Sequence, residues 1–317
     1  MALLDFFKRQ PKYQENTEEQ NSSNGNNEAA NNLNEDIYNA NVEDCKDVND
    51  NTTFLINKPQ VLTSKLLYIE LPTINTEIAL DYLRKIYNNV TLISTTKTLL
   101  FSFNDNFVYV NNEQHIAQCS VYFSVDGCIQ QLQESAFRQN WHWKEAPAIT
   151  NKCNYEILLS DVLPSYFDYK LRAKLFIDFQ TAIIIASNPQ VVYAKNAEKL
   201  IEPKDLIECG KLIDADILHP LTNIRLFKVS EGEADSIVMD TIGLDTLGLP
   251  DIEIQFKDLD PVELAKLISQ YAYFIYDFGD IISNGETVNG IIEGEKWHCE
   301  KRISILPPDR YVIHIIN

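Results

Sequence analysis

Between Pro11 and Thr53 the chain lacks the means to build a core. Asn16, Asn21, Asn24, Asn26, Asn27, Asn31, Asn32 and Asn34 alternate with acids, and Lys12 and Lys46 stand against ten acidic residues, a net of -8. So polar a segment cannot bury enough apolar surface to offset the entropy lost on ordering, which predicts a disordered linker. Apolar periodicity starts at Phe54, so the folded domain is expected over residues 54–317. A single core can serve that length. Residues 1–10 carry Leu3, Leu4, Phe6 and Phe7 beside Lys8 and Arg9. They read either as a frayed end or as a docking segment, residues 1–9 seating weakly on a membrane or a protein groove.

Within residues 54–317 the pattern alternates between periods of two and 3.6. Leu66 to Glu70 reads as a strand, and Thr76 caps a helix with Ala79, Leu80, Leu83, Ile86 and Tyr87 on one stripe. Thr91 to Ser94 and Thr98 to Phe103 read as extended, and Asn104-Asp105 as a turn leading into Phe107 to Val110. Further elements are a helix at Ile129 to Trp141, a strand at Tyr155 to Leu159, a helix at Ser165 to Phe179 and a strand at Ala182 to Ala186 before the turn Asn188-Pro189. Strand, helix, strand thus occurs at 66–103 and again at 155–193, the order a divergent duplication would leave. Asp260-Pro261-Val262-Glu263 is a strong helix start, with Asp260 as cap and Pro261 in the first position. Leu264, Leu267, Ile268, Tyr271, Ile275 and Phe278 then share one face until Gly279. Strands at 224–229, 237–241, 252–256 and 311–316 are expected around it. The fold class is α+β, with a mixed or largely antiparallel sheet and packed helices.

A net charge of -19 falls to -12 over residues 54–317 once the linker and the first ten residues are set aside. Such a surface repels phosphate, so nucleic acid is excluded as a partner and a basic protein is favoured. The six cysteines, at 45, 119, 128, 153, 209 and 299, form no C-x-x-C pair, which suggests reduced thiols and a cytoplasmic chain. No apolar stretch approaches the ~20 residues of a membrane-spanning helix.

Nucleotide loops, hydrolase elbows, zinc-protease and calcium-loop spacings are all missing, and no cofactor or metal is expected. His115, His142, His219, His298 and His314 are far apart. Two clusters stand out, Trp141-His142-Trp143 and Trp297-His298-Cys299. They are either packed aromatic segments or two imidazoles that meet across the fold as an enzyme site. From Glu231 to Glu263 ten acids face only Lys257. Glu231, Glu233, Asp235, Asp245 and Asp251 are therefore candidate partner-binding carboxylates, the alternative being solvated loops and caps around Gly243, Gly248 and Pro250. Arg225, inside an apolar strand, needs a carboxylate if buried, and Asp240 or Asp251 is the expected partner.

TNIRLF at 222–227, VMDTIGLDTLGLPDIEIQF at 238–256, LDP at 259–261, GDIISNGETVNGI at 279–291, EKW at 295–297 and LPPDRYVI at 306–313 together resemble the bacterial domain of unknown function 4261. The likeness extends back toward Lys65 and departs from the family at Ala182 to Val192, where AIIIASNPQVV replaces an aromatic strand. It carries no catalytic residue over. Families of this kind often lie beside polymorphic toxin and type VI secretion genes, so the resemblance implies an immunity protein. The leading expectation is thus a non-enzymatic binding protein that neutralises a cognate toxin or effector through an acidic surface. Alternatives are an enzyme with a site near Trp141–Trp143 and Trp297–His298, and a membrane-peripheral adaptor.

Overall fold

The computed structural model of the chain describes residues 56–129, 131–209, 216–231 and 234–317. The docking segment and the linker expected before Thr53 lie outside them. The α+β class holds, but the strands divide between two sheets. The first contains β1 (Thr63–Tyr68), β2 (Val90–Ser94), β3 (Thr98–Val110), β4 (Glu113–Cys128), β5 (Tyr155–Val162), β6 (Val191–Ala194) and β7 (Lys199–Ile201), in the order β2-β3-β4-β5-β1-β6-β7. The second contains β8 (Asn223–Glu231), β9 (Ala234–Ile242), β10 (Asp251–Phe256), β11 (Thr287–Asn289), β12 (Lys296–Ile303) and β13 (Tyr311–Ile316), in the order β11-β12-β13-β10-β9-β8. Among the described residues every pairing is antiparallel except β10 with β13.

Among the described residues six helices accompany the sheets: α1 (Thr76–Arg84), α2 (Glu134–Arg138), α3 (Ala146–Thr150), α4 (Tyr169–Ser187), α5 (Pro203–Cys209) and α6 (Pro261–Phe278). Strand alternation explains how the first sheet is covered on both faces. Leu66, Val192 and Ala194 join the main core beneath α1 and α4, whereas Leu67, Val191 and Tyr193 point the other way, against Leu132, Ala136 and Trp143. On the second sheet α6 packs over β9 and β10. Residues 57–62 tie the sheets together. Asn57 donates to the carbonyls of Leu249 and Tyr311, and the Leu62 amide donates to Asp161 at 2.7 Å.

Several boundaries differ from expectation for identifiable reasons. Asn75, not Thr76, caps α1. No turn forms at Asn104-Asp105; β3 bulges between Phe103 and Phe107 and runs on to Val110. The chain reverses at Asn111 and Asn112, both at positive φ (51° and 66°), the backbone a two-residue hairpin loop requires. The strand expected at Ala182 to Ala186 is the last part of α4. Asp168 caps that helix, and Ile183 and Ile184 are fully buried within it, so packing overrides their β propensity. The two strand–helix–strand segments are also wired differently: β5 and β6 flank β1, while β2 lies at the sheet's far edge.

Candidate functional site

The helix expected to run to Trp141 ends at Arg138, and the chain then spends its side chains on the open edge of β8. Gln139 pairs with Leu226 like a neighbouring strand, donating to its carbonyl at 3.1 Å and accepting from its amide at 3.0 Å. Trp141 Nε1 donates to the Ile224 carbonyl at 3.2 Å. The same segment reaches β7, where His142 Nε2 lies 2.9 Å from the Leu200 carbonyl. Since a carbonyl only accepts, Nε2 carries the proton and Nδ1 is an acceptor. Beside Leu200, Lys199 donates to the carbonyls of His219 at 2.7 Å and Thr222 at 3.2 Å, and its ammonium stands 3.5 Å from His219 Nδ1. A protonated lysine offers no lone pair, so His219 carries its proton on Nε2.

These contacts frame a cavity of about 200 Å³ between β7, the start of β8 and α6. Trp141, His142, Lys199, Asp216, His219 and Asn223 line it, with Ser269, Ala272 and Tyr273 contributed by α6. Tyr273 donates its hydroxyl to Asp216, which is exposed. The two imidazole centroids are 6.2 Å apart and nearly perpendicular. Burial, then the charge of Lys199, pushes His142 down to about 4, the Leu200 carbonyl opposing. Burial and Lys199 likewise push His219 down to about 4, against the pull of Asp216. Both rings are neutral at pH 7 and present opposite polarities.

Next to the cavity lies a buried charge network. Arg225, only 2% exposed, makes two bonds to Asp240 (3.1 and 2.6 Å), one to Glu198 (3.2 Å) and one to the Pro307 carbonyl (3.0 Å). Arg310 reaches Asp240 at 2.6 Å and Asp251 at 3.0 Å, and holds the carbonyls of Thr241, Leu306 and Pro308. On the other side of that loop Glu253, fully buried, accepts from the amides of Ile305 and Leu306 and faces His314 at 3.1 Å. Asp240, Asp251, Glu253, Leu306, Arg310 and His314 are thus arranged about the loop from Ser304 to Asp309, with Arg225 joining at Asp240 and Arg302 at Glu253 and His314. Residues 240–316 match the Domain of unknown function (DUF4261). No curated protein and no solved structure matches the chain.

The DUF4261 segment therefore contains most of the charge network but only the α6 side of the cavity and Thr241. The match starts at Asp240, so the likeness seen at 222–227 and further back toward Lys65 falls outside it. Arg225 and Asp240 stand in the pairing that an apolar strand demands of an arginine. Asp245 and Asp251 are not surface carboxylates: they are 6% and 0% exposed, and Asp251 also accepts from Thr241 Oγ1 at 2.8 Å. Burial, followed by the charge of Asp251, pushes the Asp245 carboxyl up to about 7, with Arg310 opposing. Glu233 lies outside the described residues, as do the side chains of Glu231 and Asp235.

The two tryptophan clusters do not meet. Trp143 is buried against Leu67 and Leu200, Trp297 belongs to the core near α6, and His298 is exposed on β12. Cys299 is buried, and burial with Glu286 pushes its thiol up to about 11, the wrong direction for a nucleophile. What sequence reasoning missed is that His142 meets His219 rather than His298, through Lys199. Nothing in the spacing of residues 142, 199 and 219 signals it, because the juxtaposition depends on two sheet edges coming together. Among the described residues no group of three or more metal-ligating side chains assembles, and no helix is long and apolar enough to cross a membrane.

Proposed function

We propose that the chain is a non-enzymatic binding protein of immunity type, which neutralises a cognate basic toxin in the cytoplasm, and that residues 274–300 form its docking surface. The observation that carries this reading is an exposed apolar set inside an acidic segment. Phe278, Ile281 and Ile292 are 63%, 54% and 70% exposed, and the Phe278 ring rests against Phe274 with centroids 5.0 Å apart. Around them residues 277–300 contain six acids against Lys296 alone. Aromatic anchors that lose water at the centre of a contact supply lifetime, while surrounding charge of one sign steers the opposite charge toward it. A nuclease toxin, whose own substrate is anionic, presents the complementary basic surface.

The test is to immobilise the full chain and measure binding of the neighbouring gene's product at two ionic strengths. A complex is expected, with Phe278→Ala speeding dissociation and Asp277→Asn combined with Glu286→Gln slowing association most at low salt. Failure to form a complex overturns the reading, as do rates indifferent to salt and to both variants.

A further inference from the structure

The docking surface on residues 274–300 is matched by a segment of the chain itself. Phe274 and Phe278 share a helix face with Tyr271, whose hydroxyl donates to the Asn289 carbonyl, three residues before Ile292. That bond brings the turn carrying Ile292 up to the exposed aromatic end of α6, and Ile281 follows the same end by three residues. Asp277 and Glu293 are exposed beside these apolar groups. Residues 1–55 lie outside the described residues. Within them only residues 3–9 join a run of large apolar side chains, Leu3, Leu4, Phe6 and Phe7, to two adjacent cations, Lys8 and Arg9. With Asp5 the segment has a net charge of +1, whereas residues 11–53, at -8, are repelled by an acidic surface. Length supplies the reach. The sequence predicts a disordered linker over residues 11–53, and a chain of that kind from residue 10 to residue 55 spans about 35–40 Å. A folded domain of the size of residues 56–317 has a radius of gyration of only about 18 Å.

From this complementarity we infer that residues 3–9 seat on residues 274–292 of their own chain, with the apolar side chains of residues 3–7 against Phe278, Ile281 and Ile292 and with Lys8 and Arg9 beside Asp277 and Glu293. The inference rests on the reading of residues 274–300 as a docking surface and adds regulation to it. The segment holds the surface until a partner with more basic charge and more apolar contact displaces it. A tether of this length sets an effective concentration on the order of 1 mM. A contact with an intrinsic dissociation constant of about 1 mM then fills the surface half of the time, which lowers the partner's apparent affinity about twofold.

The experiment puts benzoylphenylalanine, a photoreactive aromatic, in place of Phe7 in the full-length protein and maps the cross-linked peptides by mass spectrometry. Cross-links are expected within single chains, chiefly to residues 274–292, at a yield unchanged by about 10-fold dilution, as an intramolecular contact requires. Lys8→Glu with Arg9→Glu should lower that yield about 2-fold to 5-fold, the worth of two exposed charge pairs. Phe278→Ala should lower it as well, whereas Ile93→Ala, a residue as exposed but on β2, should not. Phe6→Asp with Phe7→Asp should raise the affinity for the neighbouring gene's product about twofold. Four results would overturn the inference: a map without residues 274–292, cross-links confined to dimers, transfer of the cross-links to lipid when phosphatidylglycerol vesicles are added, or equal partner affinity with and without Phe6 and Phe7. The map is read without the partner, so it stands if no complex forms. A complex that forms beside a map lacking residues 274–292 sinks the intramolecular contact alone.

Discussion

Arg225 and Asp240 are cross-strand partners in register on β8 and β9, and the guanidinium closes on the carboxylate through two bonds, at 3.1 and 2.6 Å. The same Asp240 oxygen takes a third bond, from Arg310 at 2.6 Å. One fully buried carboxylate thus serves two buried cations, joining the edge strand to the loop from Ser304 to Asp309. Asp240→Ala leaves both guanidiniums without their shared anion and should cost about 3–5 kcal/mol in chemical denaturation. Arg225→Met with Asp240→Leu should lose less than the sum of the two single variants. Strict additivity would show that the two side chains are not coupled.

Asp245 and the cavity histidines give stability opposite dependences on pH. The Asp245 carboxyl titrates at about 7 in the fold against 3.8 ordinarily, so between those values the folded state holds a proton that the unfolded chain has released. Its contribution therefore falls as pH rises through that window. His142 and His219 titrate at about 4 instead of 6.5, so the unfolded chain holds the extra protons and their contribution rises with pH over that interval. Asp245→Asn removes only the falling branch. Its stability relative to the wild type should improve steadily from acid to neutral pH in urea titrations, and a difference flat in pH contradicts the assignment.

The face of α6 was readable in the sequence to within one rotation. The stripe expected from Leu264 to Phe278 was correct at Leu264, Ile268 and Ile275, all fully buried, but Ala272 and Tyr276 complete it while Phe278 faces out. A run that is apolar on more than one side leaves the buried direction undetermined until the sheet is in place. Ile268→Ala should cost about 2–5 kcal/mol, because the cavity left behind cannot close. Leu267→Ala, on a half-buried position, should cost clearly less. Asp260→Ala removes the cap that accepts from Val262 N at 2.7 Å and should cost about 1 kcal/mol. Equal losses at Leu267 and Ile268 would put the packed face elsewhere.

What could be read from the residues was local: the α6 start, the strands at 224–229 and 252–256, and the need of Arg225 for a carboxylate. What could not be read was anything decided by the approach of distant elements. Asp245 and Asp251 sit beside Gly243, Gly248 and Pro250, a composition that signals solvated turns, yet both are buried, and Asp251 is held by Arg310, some sixty residues later. The Gly243 turn is itself buried: a Cβ there would lie 2.0 Å from the Leu221 carbonyl oxygen. Lys199 offers no sequence cue either, since its role depends on β7 lying beside the loop that carries His219.

Gln139 protects the second sheet from its own edge. β8 is the outermost strand, and the Gln139 amide occupies both the amide and the carbonyl of Leu226 while being 1% exposed itself. An uncovered edge strand is a template for pairing with another chain. Gln139→Leu keeps the bulk but leaves both Leu226 groups buried and unpaired, a loss of about 1–3 kcal/mol for each group left unsatisfied. Gln139→Glu retains an acceptor for the Leu226 amide and loses the donor to its carbonyl, so it should fall between wild type and Gln139→Leu. The second consequence separates edge protection from ordinary packing. If the amide shields β8, Gln139→Leu should self-associate as concentration rises in sedimentation experiments, whereas Ile268→Ala, comparably destabilised, should stay at the wild-type size. A Gln139→Leu protein that is destabilised but no more prone to associate than Ile268→Ala would mean that the side chain only fills space.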